Sequence, residues 1–285
     1  MNKVLVLGAS GMLGNAVMRF LAGRDGVHVV GTVRSAASVK NLSAPLREAI
    51  MTGVDVEQFD SLAGALSQAR PDVVINCIGV VKQLAQADDP LTALPINSML
   101  PHRLATLCRL GGARLVHIST DCVFSGSKGL YKESDFPDAY DLYGRSKLLG
   151  EVDYPYAITL RTSIIGHELQ GSRSLLNWFL AQEGRTRGFT RAVFSGLPTV
   201  ELARVIAEYV LPRPQLHGLF HVSAAPVNKF DLLTLVSKAY RKDIVIDAVD
   251  SPVIDRSLDS SRFREATGYE PPAWPELVRR MEAFR

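Results

Sequence analysis

Cysteine is scarce in this chain: three in 285 residues, at Cys77, Cys108 and Cys122. An odd number in apolar surroundings, without metal-ligand spacing, excludes a disulfide framework and a cysteine zinc site, and points to reduced core thiols in a cytoplasmic protein. No metal is expected, the histidines reading as core or surface residues. Long apolar runs are also missing. None reaches the roughly 18 residues that would span a membrane, and Met1-Asn2-Lys3 enters a strand closed by Gly8 too soon for a secretory leader. Excess charge of one sign is lacking too: Lys+Arg 32 against Asp+Glu 29 leaves +3, scattered along the chain, so neither nucleic acid nor a membrane surface is an expected partner. What is plentiful is core material. With 47% hydrophobic residues, the length suits one large α/β unit, or one domain with a smaller lobe.

Val4-Leu5-Val6-Leu7 is an apolar run of strand length, as in a strand buried on both faces of a parallel sheet. Gly8-Ala9-Ser10-Gly11-Met12-Leu13-Gly14 follows at once and leads into helical periodicity from Asn15 to Leu21. Glycines so placed allow a tight turn, approach of backbone N–H groups to a pyrophosphate at a helix N-terminus, and close helix-to-strand packing. The second strand, Val27–Val33, ends in Arg34-Ser35 with no carboxylate to hold ribose hydroxyls. Arg34 and Ser35 suit a 2′-phosphate, so NADPH is favoured and NADH stays open; the plain alternative for Arg34 is a solvated surface residue. A short third strand is expected over Arg47–Thr52. Asp55 either accepts from an adenine amino group or caps a helix over Glu57–Ala69. A strand over Pro71–Asn76 ends in Cys77-Ile78-Gly79, small and apolar enough to approach a cofactor. A helix over Asn97–Gly111 and a strand over Arg114–Ser119 continue the alternation, which implies a doubly wound parallel sheet.

That strand runs into Thr120-Asp121-Cys122, and ligands of such sheets bind at the carboxyl ends of strands. A loop rich in Gly, Ser, Asp and Pro then leads to a helix opening at Tyr143-Gly144-Arg145-Ser146-Lys147. Residues four apart share a helix face, so the Lys147 ammonium can lie near the Tyr143 phenol. A free tyrosine holds its proton to about pH 10, and bringing it to neutrality takes about 4 kcal/mol, much of which a fixed cation can supply. Thr120, Tyr143 and Lys147 thus form a constellation for moving a proton at a carbonyl. Beyond a strand over Ile158–Arg161 the alternation weakens. A helical stretch over Leu175–Glu183, a basic loop Arg185-Thr186-Arg187-Gly188 with Arg191 beyond it, a helix over Glu201–Leu211, a strand over Gly218–Val222 and one near Ile244 are expected. The division expected is residues 1–162, joined by about 195–222, as the dinucleotide-binding domain, with 163–194 and 223–285 as a smaller C-terminal substrate lobe. The arginines at 185, 187 and 191 suit either a diphosphate or solvated surface.

The GASGMLG turn, the VINCIG strand end, the run HISTDCVF…YKESDFPDAYDLYGRSKLLGE with TLRTS after it, and the closing SLDSSRF…TGYEPPAWPELVRRM together resemble the extended short-chain dehydrogenase/reductases. Among these the chain is most similar to the dTDP-4-dehydrorhamnose reductase-like family, over nearly its whole length. The resemblance implies a Rossmann fold and reduction of a 4-keto-6-deoxy nucleotide sugar in a surface-polysaccharide or other deoxysugar pathway. It implies that Tyr143 protonates the developing alkoxide, Lys147 lowers the tyrosine pKa and binds the nicotinamide ribose, and Thr120 binds the carbonyl oxygen beside Asp121. The cofactor would lie along Gly8, Ser10, Gly11, Met12, Leu13 and Gly14, with Asp55 and Val56 near adenine, Cys77, Ile78 and Gly79 along its middle, and Ser163 near the nicotinamide. Related dehydratases carry a glutamate where this chain has Cys122, and a thiol is a poor acid–base substitute. Where the family has a Trp after Arg-Thr-Ser, this chain has Ile164. An epimerase using the same three residues, and a non-catalytic regulatory subunit such as that of methionine adenosyltransferase, are the rival readings. A homodimer is allowed.

Overall fold

Apolar runs of strand length become parallel strands. The computed structural model describes residues 2–82 and 85–285; Met1, where the reading of the N-terminus begins, lies outside them. Numbering only the strands of the central sheet, these are β1 (Asn2–Leu7), β2 (Val27–Val33), β3 (Ile50–Thr52), β4 (Val73–Asn76), β5 (Arg114–Thr120), β6 (Ala157–Thr162) and β7 (Gly218–His221). They pair in the order β7-β6-β5-β4-β1-β2-β3. Side chains alternate across a strand, so Val4 and Val6 join the cluster holding Val17, Met18, Leu202 and Leu277, while Leu5 and Leu7 join Leu62, Leu104 and Cys108 on the other face. Each such Leu or Val, fully buried, stabilises the fold by roughly 1.5–3 kcal/mol. This is the doubly wound Rossmann arrangement.

Strand order reverses between β1 and β4, and there a crevice opens beyond the carboxyl ends. Register aligns those ends: Leu7 pairs with Asn76, Asn76 with His117, and Thr120 with Thr162. β5 therefore reaches past β4 and carries Ser119 and Thr120 to the crevice.

Several boundaries differ from expectation. Arg47 closes a helical turn, Ala44–Arg47, and the strand begins only at Ile50. The helix expected from Glu57 starts at Phe59, because Asp55 first accepts from the Glu57 N–H (3.1 Å) in a separate turn. The helix expected from Asn97 begins at Pro90, capped by Asp89, and passes through a wider π turn, Leu94–Met99, before Leu100–Gly111. Pro90 stands at the first position of this continuous run, where a missing N–H costs little, while Pro95 and Pro101 lie within it, each within two residues of an end of the π turn, whose wider winding goes with the hydrogen bonds they cannot make. The expected basic loop is a strand, Arg185–Phe189, parallel to Val245–Val249. Its alternation was in the sequence: Thr186 and Gly188 turn inward, Arg185 and Arg187 outward. A second small sheet joins Val227–Asn228, Ala192–Phe194 and Ile254–Asp255, and Ile164–Ile165 pairs with Leu197–Pro198.

Candidate active site

A tight turn after β1 starts the site. Gly8 sits at φ +84°, a conformation open to glycine, and its carbonyl accepts the Gly11 N–H at 2.9 Å. At Gly14 a Cβ would lie 2.0 Å from that carbonyl, so the helix Met12–Ala22 can approach the strand only with glycine there. Its N-cap, Gly11, offers no side chain to the first turn, which leaves those N–H groups for an anion. Asn76 Oδ1 accepts from the Ile78 N–H (3.1 Å) and so shapes the matching turn beyond β4.

Between these turns lies a cavity of about 800 Å³. Ser10, Gly11, Met12 and Leu13 line one side, Cys77, Ile78 and Gly79 its middle, and Thr120, Asp121, Tyr143, Lys147 and Ser163 the far end. Gly8 and Gly14 lie behind the lining and shape it. Arg34 and Ser35 are exposed outside it, Ser35 accepting from the Ala37 N–H (3.2 Å), and Ser38 and Asn41 of the following turn face in instead. Asp55 and Val56 also lie outside the lining, and so do Arg185, Arg187 and Arg191. Arg185 pairs with Asp247 (3.0 Å).

At the far end, Asp141 caps the helix Leu142–Leu149 by accepting from the Gly144 N–H (2.8 Å). Gly144 packs so closely on the Cys122 carbonyl that a Cβ would come within 2.3 Å. This contact brings Tyr143 to the strand end that carries Thr120, whose hydroxyl donates to Asp121 Oδ1 (3.3 Å), accepts the Cys122 N–H (3.1 Å) and lies close enough to the phenol to act on its pKa. Lys147 is 5% exposed and donates to the Ile118 carbonyl at 2.8 Å.

The electrostatics differ from the simple picture of a lysine lowering a tyrosine. Burial pushes the Tyr143 phenol up and the Cys122 side reinforces this, with Thr120 pulling the other way. Burial pushes Lys147 itself down to about 8, against the pull of Glu151. Burial also raises the Asp121 carboxyl, with Arg256 pulling the other way, and lifts the Cys122 thiol to about 12. Cys122 is thus no acid–base group at neutral pH.

The family described as "RmlD substrate binding domain" matches residues 1–283. The chain belongs to that family. Among its relatives, methionine adenosyltransferase 2 subunit beta of Danio rerio is 29% identical over 252 residues, 84% of this chain and 74% of the relative. A dTDP-4-dehydrorhamnose reductase of Aggregatibacter actinomycetemcomitans is 22% identical, across 100% of this chain and 99% of its own. Among solved structures, dTDP-4-dehydrorhamnose reductase of Bacillus anthracis in complex with NADP superposes with a TM-score of 0.81 at 21% identity, covering 99% of this chain and 98% of that one.

In this RmlD-family chain several site residues had no motif to announce them. Asn97, 1% exposed in the π turn, accepts the Val80 N–H (2.9 Å) and donates to Ser146 Oγ (3.1 Å), tying the turn after β4 to the Tyr143 helix. An asparagine inside a helical pattern, where it disfavours helix, was the available signal. Lys229 opens the helix Lys229–Ala239 and lines the cavity with Asp121 and Cys122, and among the described residues it has no ion-pair partner. Burial lowers its pKa, which the nearby Asp121 opposes. Nothing local distinguishes it from other lysines; only the fold brings it in. His217 and His221 stand four apart, a spacing that would suit metal binding on a helix, but the segment is β7 and its approach. The His221 ring is buried between the Tyr131 carbonyl (3.0 Å) and Arg161 (3.3 Å).

Proposed function

We propose that this chain is an NADPH-preferring oxidoreductase that reduces a nucleotide-linked 4-keto-6-deoxy sugar. The observation that carries the reading is one cavity holding the N-terminus of the first helix at one end and Thr120, Tyr143 and Lys147 at the other. The residues fit the cofactor: a Cβ at Gly14 would obstruct the turn, and the uncapped helix N-terminus suits a pyrophosphate. NADPH bound there supplies the hydride. Met12 and Leu13 offer backbone N–H groups to its phosphates while the Gly11 N–H closes the turn on Gly8, Cys77 to Gly79 flank its middle, and Ser163 lies at the reacting end. The absence of a carboxylate after β2, with Ser38 and Asn41 facing in, supports a 2′-phosphate. NADH remains the alternative.

Tyr143 acts as the acid. Because burial holds its phenol protonated, it is in the correct state to give a proton to the developing alkoxide, and this favours a reductase over an epimerase that must first remove one. Thr120 donates to the same oxygen and keeps the phenol in line. Lys147 uses one of its three N–H donors on Ile118, leaving others for the nicotinamide ribose. The segments 163–194 and 223–285 are read as the substrate lobe, with Lys229 as the cation that meets the substrate. Replacing it by Met is expected to raise KM for the nucleotide sugar roughly 10-fold or more with little change in kcat, as for loss of one charge-assisted hydrogen bond, while Arg retains most affinity. A fall in kcat alone would remove Lys229 from substrate binding.

The test is NADPH oxidation against 4-keto-6-deoxy sugars carried on dTDP, UDP and GDP. Stoichiometric consumption on one donor supports the reading and identifies the nucleotide. Binding of NADPH with no consumption on any donor would favour a regulatory subunit, the reading suggested by the Danio rerio relative.

A further inference from the structure

Lys147 is buried among groups that are nearly all neutral. On its own helix stands Tyr143, a phenol that burial keeps protonated. The end of β4 presents Cys77, whose thiol burial pushes up to about 12. From β5 come the Ile118 carbonyl and His117, an imidazole that burial holds well below its usual range. The π turn presents the uncharged amide of Asn97: a Cβ on Gly79 would stand 3.3 Å from its Oδ1 and 3.8 Å from Lys147 Nζ. Among the described residues, Glu151 alone brings a carboxylate to act on this ammonium. It lies two residues past the end of the helix Leu142–Leu149, and β5 brings the two groups together: Lys147 donates to the Ile118 carbonyl and Glu151 accepts from the neighbouring Ser119. Its oxygens are fixed from below: Oε1 accepts from Ser119 Oγ (2.6 Å) and Arg161 Nε (2.7 Å), and Oε2 from the second Arg161 nitrogen (2.6 Å). Ser119 adjoins Ile118, whose carbonyl accepts a hydrogen bond from Lys147, and Thr120 at the strand end.

We propose that Glu151 is a positioning residue for this site: held by Ser119 and Arg161, it keeps Lys147 an ammonium and fixes the Tyr143 helix on the strand end that carries Thr120. A buried amine without a counter-charge gives up its proton, and a neutral Lys147 would lose a donor that the cofactor ribose needs. Beyond ion-pair contact, at roughly 6–10 Å and an effective dielectric near 20, one carboxylate accounts for roughly one to two pH units. The role rests on the site and not on the identity of the sugar, so the donor panel and the experiment below fail independently.

Competitive acetylation of the cofactor-free protein with acetic anhydride, followed by mass spectrometry across pH, reads the titration of Lys147 directly. The wild type is expected to show a midpoint of about 8, and Glu151→Gln a midpoint lower by roughly one unit or more. The single substitution leaves Arg161 buried and unpaired, so Glu151→Gln with Arg161→Gln is measured beside it. The same fall is expected there, since Arg161 is not among the groups acting on Lys147. A midpoint that stays at the wild-type value in either folded variant, even with a lowered melting temperature, would reduce Glu151 to a structural residue and overturn the proposal.

Discussion

Replacing Tyr143 by Phe is expected to lower kcat for ketone reduction by roughly 10²–10⁴-fold, the usual contribution of a positioned acid, while NADPH still binds and KM moves little. Phenylalanine keeps the ring and its packing and removes only the hydroxyl that faces the cavity beside Thr120, so the loss belongs to the transition state. The direction of the pH dependence follows from burial. Because the phenol is pushed above its ordinary pKa of about 10, reduction, which needs the protonated form, is not limited by Tyr143 at neutral pH. Oxidation of the alcohol needs the phenolate and should go on rising past pH 9. A loss below about tenfold in stopped-flow turnover would remove Tyr143 as the acid, since no named acid–base role is worth so little.

Which parts of this site were legible in the sequence depends on the range of the interaction that makes it. The glycine turn is local: three glycines between a strand and a helix announce Gly8 at positive φ and the close approach at Gly14. Tyr143 and Lys147 are likewise set by helical spacing, and Thr120 by its place at a strand end. Strand positions followed from apolar runs, but ends shifted wherever a side chain captured the backbone first, as Asp55 does ahead of the helix at Phe59. The reading of Arg185–Gly188 as a loop failed because four polar or small residues outweighed the alternation, and the partner strand Val245–Val249 is remote in sequence. Lys229 was invisible for the same reason, brought to the cavity by tertiary placement alone, while Asn97 showed only as an asparagine inside a helical pattern. The charge balance was least legible of all: proximity of Lys147 suggested a lowered tyrosine, whereas burial of both groups dominates and moves the phenol up and the amine down.

Arg161→Met is expected to cost about 3–5 kcal/mol of stability, the range for removing one partner of a buried ion pair. Arg161 is 2% exposed, and its guanidinium meets both oxygens of Glu151 on one side and His221 on the other, lying 5.2 Å over the Phe124 ring. Methionine fills most of the volume but leaves the Glu151 carboxylate with Ser119 as its one remaining side-chain donor among the described residues. Because Glu151 follows directly after the Tyr143 helix, Arg161 lies on β6 and His221 on β7, a single truncation loosens three elements that meet beneath the site. Denaturant unfolding checks this, with Glu151→Met and the double substitution completing a cycle. The double variant should recover much of the loss, since a buried pair replaced by apolar groups of similar volume is often neutral. If Arg161→Met alone shifts stability by less than about 1 kcal/mol, as an exposed pair would, the pair is not what holds β6 to the helix, and the support assigned to Glu151 must come from Ser119 alone.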